Sequence, residues 1–361
     1  MQTTTLLVNR ADIREIRAVS EQAPDLVQGN LRFEIEKFAL TANNVTYAAV
    51  GDQLGYWKFF PAEEGWGKVP VWGIARIIET GVDGLNVGDR FYGYFPPASH
   101  LDVTPGRIRP HGFTDVSAVR ADLPPIYNRY DRLTEADDLD DDLEDRLALL
   151  RPLYATSFLL WDFMVDNDYF GAEQFIVSSA SSKTSIGLLS LAKRKGPKVI
   201  GLTSEGNMDF VRDLGICDQV VAYDEIQDQI AQVPSVYVDI AGNSDVKKVL
   251  HSHLGDLLKH SAAVGTSHWD RFAPGGELPG PKPVFFFAPS QSEKRLKEWG
   301  AQELEKQVRE CWRELTLESR NWMTVEHHDG TENAMTVYGR IADGSLPPTI
   351  GVMINLPGSG D

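Results

Sequence analysis

The stretch QFIVSSASSKTSIGLLSLAKRKG, residues 174–196, decides the fold of the C-terminal half of the chain. It begins with a short apolar segment typical of a buried strand, passes through a turn of small residues and ends with apolar positions at helical spacing. In a nucleotide-binding sheet such a turn leads into a helix whose free amides hold a phosphate. The turn usually carries glycines, but serines and Lys183 take their places in this chain.

Strand and helix patterns continue to alternate after this stretch. The segments KVIGLTS (198–204), QVVAYDE (219–225) and SVYVDIAG (235–242) have the composition of buried strands, and helical patterns separate them. This alternation is typical of a parallel sheet with helices on both faces. We therefore expect an α/β, doubly wound domain over residues 150–319.

The N-terminal part of the chain has a different pattern. Residues 31–40, LRFEIEKFAL, alternate between apolar and polar, and residues 71–95 contain short strand patterns separated by glycine turns. They predict an all-β, barrel-like domain over residues 1–130. The acidic run DRLTEADDLDDDLED that follows predicts a solvated linker insertion over 131–149. It lacks the glycine and the ligand spacing of a calcium loop.

Composition narrows the class of protein. A length of 361 residues favours two domains. A formal net charge of −17 argues against nucleic acid as a partner, because phosphate backbones bind basic surfaces. Two cysteines are too few for a disulfide framework and suit a reducing compartment. The sequence shows neither a signal-peptide pattern nor an apolar run of about 18 residues, so we expect a cytoplasmic protein with no membrane partner.

The serine turn does not match the other motifs of its kind. A P-loop requires glycine upstream of Lys183, and residues 175–182 contain none. The Gly-x-Ser-x-Gly nucleophile elbow is absent, and Ala180 stands where a Ser-x-x-Lys pair would need serine. Two interpretations remain open at this point: a dinucleotide turn that binds through backbone amides, or a capped helix start without a ligand.

The order of these segments resembles the medium-chain dehydrogenase/reductase superfamily over nearly the whole chain. Residues 38–51, FALTANNVTYAAVG, resemble its Asn-Pro-x-Asp segment, and LAKRKGPKVIGLTS resembles its turn into the second strand. Trp72 stands where that superfamily usually has a glutamate. The likeness is greatest to the zinc-independent quinone-oxidoreductase and enoyl-reductase side, and more narrowly to an uncharacterised bacterial branch known only as a domain of unknown function. It implies a GroES-like β-barrel domain, completed by about residues 320–361, and a Rossmann sheet.

The resemblance also implies a dinucleotide cofactor. We expect NADP rather than NAD, because the second strand ends in Thr203 and Ser204 instead of an acid, although Glu205 follows and Met208 replaces the usual phosphate-pairing lysine. The expected cofactor-binding residues are Asn43, Thr156, Ser179, Ser181, Ser182, Lys183, Thr184, Thr203, Ser204, Asn207, Tyr223, Asp239, Gly265, Thr266 and His268. The cysteine and histidine ligands of the zinc-dependent members are absent, so we expect no metal.

The catalytic candidates lie near the start of the chain. Tyr47 and Tyr56 are the candidate proton donors, because by resemblance they fall in the loop region that lines the cleft beneath the nicotinamide, and Asn44 falls on the family's proline position. The alternative is that the aromatic residues around Tyr56 simply pack together. Tyr127 follows two prolines and is expected to fold over the same region or to belong to a plain linker.

These residues predict an NADPH-dependent, zinc-independent reductase of a carbonyl-activated double bond, in an enone or an enoyl thioester, or of a quinone. The alternative is a non-catalytic NADP-sensing protein on the same fold, and a weaker one is a hydrolase that uses a loop serine. The apolar segment VFFFA, residues 284–288, predicts an edge strand, which pairs two copies into a homodimer in the family that the chain resembles.

Overall fold

Residues 1–194, 196–265 and 278–356 are described by a computed structural model, in which the chain divides into two units. The first unit comprises Met1–Leu149 with Met323–Asp361, and the second comprises Leu150–Trp322. The boundary between them falls inside a helix that runs through Asp141–Asp166. The second unit therefore begins within a continuous helix.

The helices and strands fall into three groups along the chain. The N-terminal elements are β1 (Gln2–Asn9), β2 (Ile16–Gln22), β3 (Leu31–Leu40), α1 (Ala42–Ala49), α2 (Gly51–Leu54), β4 (Trp66–Gly67), β5 (Val71–Thr80), β6 (Arg90–Phe95), β7 (His100–Val103), β8 (Pro105–Arg109), β9 (Gly112–Asp115), β10 (Arg129–Leu133) and α3 (Asp141–Asp166). The middle elements are β11 (Gln174–Val177), α4 (Lys183–Arg194), β12 (Lys198–Thr203), α5 (Met208–Asp213), β13 (Gln219–Ala222), α6 (Ile226–Gln229), β14 (Ser235–Asp239), α7 (Ser244–Leu254), β15 (Leu258–Ala263), β16 (Val284–Phe285), α8 (Ala288–Trp299) and α9 (Ala301–Glu318). The chain then forms β17 (Thr324–Asp329), α10 (Thr331–Ala342) and β18 (Ile350–Asn355).

The first unit is rich in strands, as the alternating sequence predicts. One sheet has the order β17-β18-β3-β5-β6-β10-β9-β8, with β7 also paired to β3, and a smaller sheet has the order β2-β1-β4. The C-terminal strand β18 pairs antiparallel with β3, so the end of the chain completes the N-terminal domain. Phe33 of β3 is fully buried and contacts the rings of Phe91 and Phe95 at 5.6 and 5.8 Å.

The acidic run differs from the solvated linker that the sequence predicts over 131–149. Its first residues belong to β10, which pairs with β6 and β9, and the later ones start α3. Glu144 and Asp145 are buried, and Lys37 Nζ lies 3.2 Å from one carboxylate and 2.7 Å from the other. Arg90 pairs with Glu144 from a second side. Buried acids require such partners, which charge patterning along the chain does not reveal.

The second unit is built on a parallel sheet, which confirms the predicted fold class. The strand order is β13-β12-β11-β14-β15-β16, and every neighbouring pair is parallel. The order reverses between β11 and β14, because the chain moves outward from β11 in one direction and then returns to begin the other half at β14. Ligands of doubly wound sheets bind outside the carboxyl ends of the strands at such a switch point.

Both faces of this sheet are covered by packed side chains. Phe175 and Val177 of β11 belong to a core with residues of α3 and α4, whereas Ile176 between them belongs to a core with residues of α6 and α7. Alternate residues of a strand point to opposite faces, so one short apolar strand supplies both cores.

The C-terminal part of the second unit contains two helices. The helices α8 and α9 are separated by Gly300, whose φ of +81° lies in the left-handed region that favours glycine. In the described part of the chain, no helix is both long enough and apolar enough to cross a membrane.

Candidate functional site

The turn between β11 and α4 is held by serine side chains. The Ser178 hydroxyl accepts hydrogen bonds from the amides of Ile240 and Ala241, at 3.1 and 3.0 Å, and donates to Asp239 at 3.1 Å. These bonds join the end of β11 to the residues that follow β14, across the switch point. The next residue, Ser179, has φ at +53°, a conformation more usual for glycine.

Serine hydroxyls also begin the helix. The Ser182 hydroxyl accepts from the Ser185 amide at 3.3 Å and donates to the Ser185 hydroxyl at 2.9 Å, and the latter donates to the Ser178 carbonyl at 3.1 Å. This is the arrangement of an N-cap, in which a side chain satisfies one of the amides that lack a partner within the helix. The serines therefore fix a turn that glycines form in other proteins.

Lys183 is the first residue of α4, and Ser181 before it is largely buried. Burial lowers the pKa of Lys183 to about 8, so its charge titrates just above neutral pH. The next residue, Thr184, accepts a bond through its carbonyl from the Ser157 hydroxyl at 2.7 Å, while the Thr156 hydroxyl donates to the Pro152 carbonyl at 3.1 Å. These bonds give Thr156 and the Thr184 backbone a structural role on and beside α3.

Tyr223 contacts the serine turn directly. Its hydroxyl accepts a hydrogen bond from the Ser179 amide at 3.0 Å, although 44 positions separate the two residues. Burial raises the pKa of Tyr223 to about 12, so the hydroxyl stays protonated and keeps a hydrogen that it can donate. The structure thus brings together Ser179 and Tyr223, two residues that the sequence analysis singled out separately.

The residues after β12 divide into buried and accessible ones. Thr203 is 1% exposed, so its hydroxyl is not at the surface, whereas Ser204 is exposed and accepts a hydrogen bond from the Asn207 amide group at 3.1 Å. Glu205 is exposed and Met208 is buried. Ser204 and Asn207 are therefore the neutral donors available to a ligand at this strand end.

The Asp239 side chain is buried, and its carboxylate is bound by other groups of the protein. Its carboxylate accepts from the Ser178 hydroxyl, the Tyr237 hydroxyl and the Gly242 amide, and Lys247 lies 3.2 Å from its other oxygen. The side chain is 2% exposed. These contacts make Asp239 a residue that positions the serine turn from below, and its predicted contact with a cofactor stays a prediction.

Gly265 follows β15, and its backbone passes close to the backbone of Ile240, which follows β14. A Cβ atom at this position would lie 2.5 Å from the Ile240 carbonyl oxygen, so a larger residue does not fit without a shift. Thr266 and His268, also expected at this strand end, lie outside the described residues.

The catalytic candidates lie in the first unit, on and after α1. Thr41 caps this helix in a capping box: Asn44 Oδ1 accepts from the Thr41 amide at 2.7 Å, and Asn44 Nδ2 donates to the Pro70 carbonyl at 2.8 Å. Asn44 is 4% exposed. Its contacts are those of a structural residue that fixes the start of α1, and a catalytic role for Asn44 remains an untested prediction.

Tyr47 and Tyr56 are brought together, with ring centroids 4.3 Å apart. They belong to a group that we call the aromatic cluster, which consists of Tyr47, Tyr56, Phe59, Trp72, Tyr94 and Tyr127. Burial raises the pKa of Tyr47 and of Tyr56 well above the ordinary value for tyrosine. Both hydroxyls therefore stay protonated near neutral pH and are available as donors.

Asn43 and Tyr127 complete the surroundings of these tyrosines. Asn43, Trp72 and Tyr94 face the Tyr47 hydroxyl and oppose the rise in its pKa, of which burial is the main cause. The Tyr127 ring lies 4.7 Å from that of Tyr94 and meets the Tyr56 ring edge-on at 6.2 Å. Tyr127 thus folds over the cluster, which is one of the two outcomes that the sequence left open.

Sequence reasoning missed Tyr94 as a member of this group and gave Trp72 no role. Trp72 of β5 and Tyr94 of β6 are direct cross-strand partners. The loop between these strands is not a short hairpin turn of a recognisable type, so the sequence alone did not reveal which residues of the two strands pair. The one available signal was the tryptophan itself, which replaces the usual glutamate. In the described part of the chain, no group of three or more His, Cys, Asp or Glu residues could hold a metal ion.

Comparison with known proteins supplies a family and a fold. The family model described as "Protein of unknown function (DUF2855)" matches residues 38–347. No curated protein sequence matches the chain. Similar solved structures include CurA from Vibrio vulnificus in complex with NADPH, at 13% identity and a TM-score of 0.65, with 98% of this chain and 99% of that chain covered.

Two further structures represent the reductases that the sequence resembles. A mutant enoyl thioester reductase from Candida tropicalis has 12% identity and a TM-score of 0.56, with 98% of this chain and 100% of that chain covered. The quinone oxidoreductase from Coxiella burnetii has 12% identity and a TM-score of 0.55, with 99% and 100% covered. At these identities the likeness establishes the fold, a GroES-like domain with a Rossmann domain, and confirms the predicted architecture.

Proposed function

The chain belongs to the DUF2855 family, and we propose that it is an NADP(H)-dependent, zinc-independent reductase of a carbonyl-activated double bond or a quinone. The observation that carries this proposal is the serine turn, which enters α4 beside the switch point of the parallel sheet with Lys183 at the first helical position. Similar folds include an NADPH complex, an enoyl thioester reductase and a quinone oxidoreductase, which supports the same interpretation.

The residues of the turn fit a pyrophosphate. The first turn of an α-helix offers amides without partners in the helix, and its dipole favours an anion. The Ser182 hydroxyl accepts a hydrogen bond from the Ser185 amide, and Lys183 places a positive charge at the same end of the helix. The Ser178, Ser182 and Ser185 hydroxyls shape the turn from within, so the amides at the helix start and Lys183 would hold the phosphates where related turns use close approach to glycine.

The groups at the ribose end favour NADP. Ser204 and Asn207 are neutral donors at the end of β12. An NAD site at this position usually has an acid that accepts from the ribose hydroxyls. Glu205 is exposed at the same strand end as Ser204, and we propose that the neutral donors, and not this acid, set the preference.

The chemistry needs one hydride and one proton. A bound NADPH would supply the hydride that the β-carbon accepts, while the double-bond electrons move to the carbonyl oxygen. The α-carbon of the resulting enolate then takes a proton from a tyrosine or from water. We assign this proton to Tyr56 before Tyr47, because Tyr56 is only half-buried and can recover a proton from solvent.

Metal, assembly and location are further parts of the proposal. Hydrogen-bond donors stabilise the enolate oxygen in place of a zinc ion, since the described residues offer no set of ligands for one.

We propose a homodimer formed at the edge strand β16. Cys217 and Cys311 are both free thiols, which suits the reducing environment of the cytoplasm.

Cofactor binding and turnover test the proposal separately. NADPH should quench the tryptophan fluorescence of the purified protein at lower concentration than NADH. NADPH consumption, followed by absorbance across a panel of enones, enoyl thioesters and quinones, should then identify a substrate class. Tight binding without turnover on any of them would favour the sensing alternative, and the absence of binding would contradict both.

A further inference from the structure

Two buried polar groups of the aromatic cluster have no hydrogen-bond partner among the described residues. They are the indole nitrogen Nε1 of Trp72 and the hydroxyl of Tyr94. A buried donor without a partner costs about 1–3 kcal/mol, and native proteins leave few of them without a reason. A ligand that accepts hydrogen bonds would be such a reason.

The two groups are placed side by side by the sheet. Trp72 of β5 and Tyr94 of β6 are direct antiparallel partners, so their side chains lie on the same face, with ring centroids 4.9 Å apart. The Tyr47 ring meets the Tyr94 ring edge-on at 6.0 Å. The Tyr47 hydroxyl lies close to both groups, and these contacts oppose the rise in its pKa, but neither contact meets the distance and angles of a normal hydrogen bond.

Flat aromatic surfaces surround the pair. The Tyr127 ring lies 4.7 Å from Tyr94 and 6.0 Å from Trp72, and the Phe59 ring meets Tyr94 edge-on at 5.3 Å. Tyr127 is half-buried on a short 3₁₀ helix, Pro125–Asn128, whereas Tyr94 is fully buried. We therefore expect a ligand that reaches Tyr94 to take the place of the Tyr127 ring, which favours a flat and apolar ligand.

We propose that Trp72 and Tyr94 together bind the carbonyl oxygen of a planar conjugated substrate, with a cyclic enone as the simplest member of the class. This inference rests on the proposed reductase function and gives that function its substrate-oxygen site. Both groups donate hydrogen bonds and neither carries a charge, which suits an oxygen that gains negative charge as the double bond is reduced. The aromatic walls exclude water and strengthen these bonds.

Single-group substitutions test this site. Tyr94→Phe removes only a hydroxyl, and Trp72→Phe removes the indole N–H while keeping an aromatic ring. With NADPH and 2-cyclohexenone, each should lower kcat/KM on the order of 100-fold, the usual effect of losing one oxyanion donor. The Kd for NADPH should not change. The melting temperature of Tyr94→Phe should be equal to or above that of the wild type, because its hydroxyl has no partner to lose.

Tyr130→Phe is the matched control. Tyr130 is equally buried, but its hydroxyl donates to the Tyr94 carbonyl at 3.1 Å and accepts from Arg120 at 3.2 Å. This variant should melt at a lower temperature and keep the wild-type kcat/KM. A fall in the melting temperature of Tyr94→Phe as large as that of Tyr130→Phe would show that the Tyr94 hydroxyl is bonded within the protein, through a bound water for example, and would overturn the inference.

A binding measurement separates this site from the reductase proposal. 4-Nitrophenol carries an oxygen on a flat ring, and a site that donates hydrogen bonds to that oxygen shifts its absorbance toward the phenolate form. The wild type should produce this shift, and Tyr94→Phe and Trp72→Phe should each weaken it. If the wild type reduces no enone but this pattern holds, the oxygen site stands and the reductase proposal fails. If both variants match the wild type in binding and turnover, the inference is wrong.

Discussion

The Tyr223 hydroxyl accepts a hydrogen bond from the Ser179 amide, and this bond holds the serine turn in its left-handed conformation. A glycine would adopt that φ without strain, but a serine requires compensating contacts. Tyr223 supplies one of them from the end of β13, two strands away from β11 in the sheet. The serine at position 179, in place of a glycine, therefore depends on the contact that Tyr223 makes with it.

Tyr223→Phe should reduce both stability and NADPH affinity. The Ser179 amide would lose its acceptor, which costs about 1–3 kcal/mol in the free energy of unfolding. NADPH affinity should fall more than NADH affinity if the Tyr223 hydroxyl donates to the 2′-phosphate. Urea unfolding and fluorescence titration measure the two effects. Tyr338→Phe is the control, because it removes a buried hydroxyl that has no partner among the described residues and should leave stability unchanged or higher. Wild-type stability in Tyr223→Phe would contradict the role given to this bond.

Lys183→Ala should weaken NADPH binding by about 1.5–3 kcal/mol, or roughly 10- to 150-fold in Kd, the range for hydrogen bonds to charged groups. Lys183→Arg keeps the charge and should lose much less. Fluorescence titration of the three proteins provides the values. Equal affinity in the wild type and in Lys183→Ala would mean that Lys183 does not meet a phosphate.

The affinity for NADPH should also depend on pH in a defined direction. Burial lowers the pKa of Lys183 to about 8, so the side chain is mostly charged at pH 7 and mostly neutral at pH 9. A phosphate binds the charged form, and the Kd should therefore rise between pH 7 and pH 9. Lys183→Arg should flatten this profile, because arginine stays charged throughout the range. The same pH dependence in Lys183→Arg and in the wild type would assign the titration to another group.

The parallel sheet was predictable because short apolar strands and helical patterns repeat along the sequence, and each carries its own local signal. The contacts of Asp239 and Glu144 were not. Asp239 is held by Ser178 from β11, 61 positions away, as well as by Tyr237, Gly242 and Lys247 from its own part of the chain, and its expected contact with a cofactor stays a prediction. Glu144 was expected in a solvated run, and partners on β3 and β6 allow its burial.

The candidate site shows the same limit. Tyr47 could be selected because it lies in the segment, residues 38–51, that a motif resemblance covers, and Tyr56 follows shortly after that segment. Trp72 and Tyr94 could not be paired, since their contact depends on the register of β5 against β6 and only becomes visible when the strands are aligned. Likewise, nothing local indicates that Tyr223 reaches Ser179. Residues that act through long-range pairing are the ones that a single sequence conceals.

Prolonged treatment with a chelator should leave folding and NADPH binding unchanged, because the described residues offer no plausible set of metal ligands. Melting temperature and fluorescence titration before and after dialysis test this expectation, and metal analysis of the untreated protein completes it. Stoichiometric zinc that is removed together with cofactor binding would contradict the zinc-independent part of the proposal.

The edge strand β16 carries the prediction of a homodimer. Phe285 and Phe287 are 54% and 47% exposed, with ring centroids 6.4 Å apart, whereas Phe286 between them packs 5.6 Å from Phe163 in the core. Val284 and Phe285 of β16 are both exposed, and Phe287 follows at the start of α8, so two neighbouring aromatic rings lack cover from the described residues of this chain. An edge strand with exposed apolar residues favours pairing with a second copy.

Substitution of these exposed rings should separate the copies without unfolding either one. Phe285→Lys combined with Phe287→Lys places two charges on the exposed face, so we expect a monomer with the melting behaviour of a folded protein. Phe286→Ala instead removes a core contact, and it should lower the melting temperature while leaving the assembly state intact at moderate temperature. Sedimentation equilibrium at micromolar concentration measures the mass of each. A wild-type species at the chain mass of 40.1 kDa would rule out the dimer, and the exposed pair would then need a different partner.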